Sequence, residues 1–283
     1  MKSFRYYVIL AILLAVLPMY AGRPKVGLAL GGGGAKGAAT IGVLKVIESA
    51  GVRVDYVAGT SIGAIVGGLY AAGYYPDEME EMFLSLDWQD VAQGHKVEAL
   101  LKTLLDNVGV EQFSDTFIPF RCVAAEENTY EEVVLSSGVL YKAIRASMSV
   151  PEIYEPVRWG TMYLVDGGVA NNLPVDVLRE MGADIVIAVD LQQEPGFGIR
   201  IQSKGGGVAS WLLSRPDRER RKQNIKDADV YIHPDLYAFS AFNFGYRDCK
   251  MMLQLGEDEA MDHWDELIEI KNRQQYSSRG VRY

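Results

Sequence analysis

Cysteine and histidine are both scarce in this chain. Its 283 residues hold two cysteines, Cys122 and Cys249, and three histidines, His95, His233 and His263. Two cysteines carry no disulfide framework, and Cys122 lies in the apolar run Phe120 to Ala125, which predicts a buried free thiol. The histidines are scattered, and no Cys/His cluster has metal-site spacing, so neither a metal nor another cofactor is expected. An excess of positive charge is missing too. The formal net charge of −9 argues against nucleic acid as a partner, because a phosphate backbone calls for a basic face. Long hydrophobic runs are absent as well. The apolar stretch Val8 to Leu17 falls short of the roughly 20 residues that a membrane-spanning helix needs.

What that stretch does fit is a leader. Met1-Lys2-Ser3-Phe4-Arg5 is basic, the apolar run follows, and Pro18-Met19-Tyr20-Ala21 ends on a small residue. This predicts a secretory signal peptide over residues 1–21. Met19 is larger than usual for its place before the cut, and an uncleaved anchor is the alternative; both export the protein. About 260 residues then remain, enough for one domain over residues 22–273, followed by a flexible tail over 274–283. Arg215, Arg218, Arg220, Arg221, Lys222 and Lys226 form a local basic cluster. It reads as a solvated helix face, with contact to anionic lipid as the alternative.

The chain then alternates strand and helix. Lys25 to Leu30 is a short apolar strand, and a helical pattern from Ala38 stops at Gly51. Val54 to Ala58 is a second strand, and Ile62 to Ala72 a second helix. That alternation is the signature of a parallel sheet with helices packed on it. Pro76 starts another helix, and residues 94–106 are helical. Ile118 to Ala125 with Tyr130 to Leu135, and Val157 to Trp159 with Met162 to Val165, form two hairpins. Ser137 is a candidate cap for a helix over Val139 to Met148. Pro174 to Met181 is helical, Asp184 to Asp190 is a strand, Gly196 to Gly207 is a loop, and residues 247–273 form one long helix.

Three glycine-marked motifs carry the chemistry. Gly59-Thr60-Ser61-Ile62-Gly63 stands between a strand and a helix, the context of a turn that exposes a nucleophilic serine. Gly32-x-Gly34-x-x-Gly37 follows a strand and satisfies the dinucleotide fingerprint. A dinucleotide site wants an acid at the end of the second strand. Here that end is Gly59-Thr60-Ser61, and Asp55 lies at the start instead. A phosphate loop is excluded because Gly37 is followed by Ala38-Ala39 rather than Lys-Ser/Thr. The remaining reading of Gly32, Gly33 and Gly34 is a row of backbone donors for an oxyanion. The third motif, Asp166-Gly167-Gly168, ends a hairpin strand and can bring a carboxylate to the serine as its base. His233 and His263 stand in no glycine-flanked turn and read as structural or surface residues.

These motifs, in this order, resemble the patatin-like phospholipase family. The resemblance covers roughly residues 24–240. It extends through VLKVIESAGVRVDYVAGTSIGAIVGGLYAAG, through IRASMSVP at 144–151, and through VDGGVANNLPVDVLREMGADIVIAVD. It implies a three-layer α/β/α fold with a mostly parallel central sheet. It also implies calcium-independent hydrolysis of phospholipid or lysophospholipid esters by a Ser61–Asp166 dyad. Gly32, Gly33 and Gly34 would then serve the oxyanion with Lys36 beside them, and peripheral membrane contact would be expected. The chain departs from the family at Pro151-Glu152-Ile153-Tyr154-Glu155-Pro156, near the expected acyl pocket, where relatives have smaller or more apolar residues. Exported bacterial relatives place such a domain ahead of repeat modules and an outer-membrane β-barrel. That implies a passenger domain in the periplasm or at the outer membrane of a Gram-negative bacterium, or a secreted form. A nucleotide-binding oxidoreductase and a catalytically idle lipid-binding module are the alternatives.

Overall fold

Val26–Leu30, five buried apolar residues, form β1 inside an eight-stranded sheet. A strand covered on both faces is apolar along its length, which is why this segment reads as a run rather than an alternation. The computed structural model describes residues 22–88, 94–193 and 218–279. The expected signal peptide and the 196–207 loop lie outside the described residues, as does Arg215.

β1 pairs in parallel with β2 (Tyr56–Thr60) on one edge and with β7 (Ile185–Val189) on the other. β3 (Phe120–Glu126) continues the parallel set beyond β2, and β8 (Val230–Ile232) continues it beyond β7. The antiparallel part is the two expected hairpins. β4 (Glu132–Leu135) folds back on β3, and β5 (Val157–Trp159) pairs with β6 (Met162–Asp166), which joins β3. The order is β5-β6-β3-β2-β1-β7-β8, with β4 also on β3.

Helices cover both faces unequally. Leu28, Leu30 and Val57 face a large core. It is closed by α1 (Gly37–Ala50), α2 (Ile62–Ala71), α3 (Pro76–Ser85), α4 (Gly94–Asn107), α5 (Leu140–Ser147), α8 (Tyr246–Asp262) and α9 (Trp264–Arg279). Ala29, Ala58 and Ala188 point the other way, onto a smaller core under α6 (Val175–Met181) and α7 (Arg218–Asp227). Alternation of side chains along a strand produces this division. The result is the three-layer α/β/α fold with a mostly parallel sheet.

Within the large layer, α8 lies directly on α1. A Cβ at Gly42 would stand 2.1 Å from the Leu253 carbonyl oxygen, and one at Gly256 would stand 2.0 Å from that of Ala39. Backbone touches backbone there, so only glycine fits.

Three local expectations are corrected. Ser137 does not cap α5; Val139 occupies the cap position, without a side-chain bond. The expected single helix over 247–273 is two helices, with His263 in a non-helical turn between them. Within the expected 274–283 tail, residues 274–279 are the end of α9, and residues 280–283 lie outside the described residues. Gln274, 5% exposed, accepts from the Arg53 amide at 3.0 Å and donates to the Arg53 carbonyl at 2.8 Å. A side-chain amide paired with the backbone ahead of β2 is a tertiary contact that helical periodicity cannot report.

Candidate active site

β2 ends at Thr60 and α2 begins at Ile62, leaving Ser61 alone to turn the chain. Its φ of 56° and ψ of −123° are unusual for a residue with a side chain and cost on the order of 1–3 kcal/mol. The surroundings hold it there. The Ser61 amide donates to Ser147 Oγ at 3.0 Å, and that hydroxyl donates to the Val123 carbonyl. A Cβ at Gly59 would lie 2.3 Å from the Gly63 carbonyl oxygen, and one at Gly63 would lie 2.1 Å from that of Leu30. Strand and helix therefore cross at backbone contact, as the serine turn requires.

The register of β3 brings the acid to this turn. Residues 122–125 of β3 pair with β4, so β2 and β6 share the opposite edge. On that edge β2 ends with Thr60 beside Val123, and β6, running the other way, ends with Asp166 beside Ala124. Two strands thus meet end to end with Ser61 and Asp166 at the junction. Gly167 lets the chain leave along the sheet, since a Cβ there would be 2.2 Å from the Val123 carbonyl oxygen.

Ser61 Oγ donates to Asp166 Oδ2 at 2.6 Å, and the Gly168 amide donates to Asp166 Oδ1 at 2.8 Å. Asp166 is 2% exposed. Burial pushes its carboxyl up to about 6, partly opposed by the two hydrogen bonds that favour the anion. The carboxylate is therefore ionised at neutral pH yet more basic than an ordinary aspartate. Ser61 keeps partial exposure and stands at the N-terminus of α2, where the helix dipole favours negative charge.

The glycine loop is only partly as expected. The Gly31 amide is bonded to the Val189 carbonyl, and the Gly32 amide, expected to serve an oxyanion, donates to the Asn172 carbonyl at 3.3 Å. Gly32 instead supplies room, as a Cβ would stand 3.0 Å from Ser61 Cβ. The amides of Gly33 and Gly34 have no acceptor among the described residues and are partly exposed. Gly34 has φ of 60°, and its Cβ would meet the Ala241 carbonyl oxygen at 2.4 Å. Lys36 closes a 3-10 turn over Gly34–Lys36 just before α1. Gly37 lets α1 approach α2, because its Cβ would lie 2.2 Å from Ile62 Cγ1.

Several supporting residues went unmarked in the sequence. Thr60 Oγ1 donates to the Asn171 carbonyl at 2.8 Å, and Asn172 Nδ2 donates to the Gly32 carbonyl at 3.1 Å. The segment after Asp166 thereby ties the serine turn to the glycine loop. Asn171 Nδ2 in turn bonds Glu132 and Asp176. The repeated asparagine in VANN was the available signal, but its partners are 111 and 140 residues away.

Two residues of the basic cluster belong to this framework rather than to a solvated face. Arg220 bridges Asp176 at 2.8 Å and Glu132 at 2.6 Å, and buried Arg221 bonds Asp190 at 2.6 Å. Arg218, Lys222 and Lys226 are exposed and fit the surface reading, Lys222 being paired with neighbouring Glu219.

The described histidines are engaged elsewhere. His233 Nδ1 donates to the Asp190 carbonyl at 2.9 Å and its ring stacks on Tyr231; His263 faces Glu266 and Glu259. Both cysteines are buried and unpaired, as expected for Cys122. In the 151–156 segment, the Tyr154 ring covers the Arg145 guanidinium at 4.9 Å, and the Glu155 carbonyl accepts from Arg145 at 3.4 Å.

A serine on a strained strand-to-helix turn, facing a buried carboxylate at the C-terminal edge of an open α/β sheet, has the geometry of a nucleophilic hydrolase with aspartate in the place of histidine. Comparison with known proteins gives the family. The model for the family described as patatin-like phospholipase matches residues 28–179. Lysophospholipase nte1 of Emericella nidulans is 29% identical over 264 residues, 79% of this chain and 17% of that protein. Neuropathy target esterase sws of Drosophila melanogaster is 29% identical over 266 residues, 79% of this chain and 18% of its own. The chain thus spans less than a fifth of these curated relatives. The crystal structure of VipD from Legionella pneumophila shares the fold, with a TM-score of 0.55 at 14% identity over 87% of this chain and 67% of that one. This chain belongs to the patatin-like phospholipase family.

Proposed function

We propose that the protein hydrolyses acyl esters of phospholipids or lysophospholipids, with Ser61 as nucleophile and Asp166 as general base. The observation that carries this is the 2.6 Å hydrogen bond from Ser61 Oγ to a buried carboxylate raised to about 6. Asp166 takes the hydroxyl proton as Ser61 Oγ bonds to the ester carbonyl carbon. The oxyanion is held by the Gly33 and Gly34 amides at the head of α1. Collapse breaks the bond to the alcohol, which leaves with the proton from Asp166. Water, deprotonated by the same carboxylate, then releases the fatty acid from Ser61. The dinucleotide alternative is disfavoured by Asp55, whose carboxylate is bonded to Arg23 and to the Val26 amide.

Peripheral membrane contact is part of the proposal. Tyr237, Phe242 and Tyr246 are 49%, 63% and 57% exposed, and Ala241 among them accepts from the Ala35 amide of the glycine loop at 2.9 Å. Exposed aromatic side chains suit the lipid–water interface. Export by residues 1–21, to the periplasm, the outer membrane or the medium, is proposed on the leader-like sequence alone.

A fluorophosphonate probe followed by peptide mapping tests the nucleophile. The adduct is expected on Ser61 and absent after Ser61→Ala; labelling of another residue would overturn the assignment. Product analysis with mixed phospholipids tests the substrate class.

A further inference from the structure

One residue touches both halves of the site. Asn172 stands in the bend between Asp166-Gly167-Gly168 and α6, and it is 6% exposed. It grips Gly32 from two sides. Its carbonyl accepts from the Gly32 amide at 3.3 Å, and its Nδ2 donates to the Gly32 carbonyl at 3.1 Å. The remaining polar atom of the side chain, Oδ1, lies between the two loops. A Cβ at Gly32 would stand 2.6 Å from this oxygen and 3.0 Å from Ser61 Cβ. One at Gly168 would stand 2.8 Å from the same oxygen and 3.1 Å from Asp166 Oδ1. Two glycines therefore leave room for one carboxamide, which reaches from the glycine loop to the edge of the Ser61–Asp166 pair.

The residue type matters as much as the place. Gly32 is buried, so its carbonyl needs a donor. A carboxamide provides that donor and keeps a neutral oxygen toward Asp166. Leucine offers no donor, and aspartate would add a second negative charge beside the base. We infer that Asn172 is a positioning residue for the proposed reaction. It fixes the Gly33 and Gly34 amides, which follow Gly32 directly, at a set separation from the Ser61–Asp166 pair. The inference rests on the proposed function and assigns the spacing of its parts to one side chain.

The test measures kcat and KM for p-nitrophenyl butyrate against pH, with the full-length protein. In Asn172→Ala, kcat and kcat/KM should fall together by about tenfold to a hundredfold, because oxyanion donors act in the transition state. Gly168→Ala, whose Cβ displaces the carboxamide while keeping Asn172, should give a loss of the same kind. Combined with Asn172→Ala it should cost little more, since the oxygen it displaces is then gone. In Asn172→Asp the two carboxyls titrate as a pair, and the midpoint of kcat/KM should move from near 6 to about 7 or higher. Tyr154, whose phenol also senses the Asp166 charge, stays neutral over this range because burial raises it.

A merely structural Asn172 would lower Tm without moving that midpoint. A loss of less than about threefold in Asn172→Ala, additive losses in the double variant, or an unmoved midpoint in Asn172→Asp would each overturn the inference while leaving an active wild type a hydrolase. Should Asn172→Ala fail to melt cooperatively, the rate of Gly168→Ala and the midpoint of Asn172→Asp decide the matter. An inactive wild type would remove the hydrolase reading and the inference with it.

Discussion

Two buried aspartates stand at the C-terminal ends of strands in this sheet, and their partners divide their roles. Asp166, 2% exposed, ends β6, and among the described residues its carboxylate accepts only from the Ser61 hydroxyl and the Gly168 amide. Asp190, 0% exposed, follows β7 and is clamped by Arg221 at 2.6 and 2.8 Å, the Tyr231 hydroxyl at 3.0 Å and the Gln192 amide at 3.0 Å. A guanidinium neutralises a buried carboxylate and ties it into the framework. A hydroxyl and one amide leave it basic, at a cost in stability. The first arrangement suits a strut, the second a proton acceptor.

Breaking each site should therefore fail differently. The largest effect is expected from Asp166→Asn, which should lower kcat/KM for a short ester by on the order of 10⁴, the upper range for a general base. Asp190→Asn should act on stability instead. It takes the Asp190 carboxylate away from the buried Arg221 guanidinium and should cost about 3–5 kcal/mol in urea unfolding. Next is an opposite-signed effect of Asp166→Asn on stability. A carboxyl raised from 3.8 to about 6 by burial weakens the fold where it is ionised. The penalty is absent below about pH 4, where folded and unfolded forms are both protonated, and complete above about pH 6. Asp166→Asn should thus stabilise the protein at pH 8 by at most about 3 kcal/mol, a gain that disappears at pH 4 in thermal melts. The smallest change is Tyr231→Phe, which removes one hydrogen bond from Asp190 and should cost about 1 kcal/mol.

Much of this comparison was legible in the sequence, and unevenly so. Ser61 and Asp166 each sit in a local glycine-marked turn, so residues within a few positions betrayed them. β1, β2, β7 and both hairpins announced themselves by apolar runs and turn residues. The Asp190–Arg221 pair left no such mark, since its members are 31 residues apart and one lay in what read as a surface basic run. Ser147, which pins the Ser61 amide, is 86 residues from it. The glycine run predicted donors but not their direction. Which amides are spent depends on where Val189 and Asn172 place their carbonyls. The helix break at His263 and the anchoring of Gln274 were hidden because both depend on how the C-terminal helices pack.

The central claim is that Asp166, without histidine, is the base for Ser61. The pH dependence of kcat/KM for p-nitrophenyl butyrate tests it most directly, measured on wild type and on a variant with His95, His233 and His263 all replaced. Activity should rise with pH through one ionisation near 6 and then level off, because kcat/KM reports the free enzyme's base. The histidine-free protein should keep the same midpoint and about the same plateau. A hundredfold loss of activity in that variant, or disappearance of its ionisation, would contradict the account.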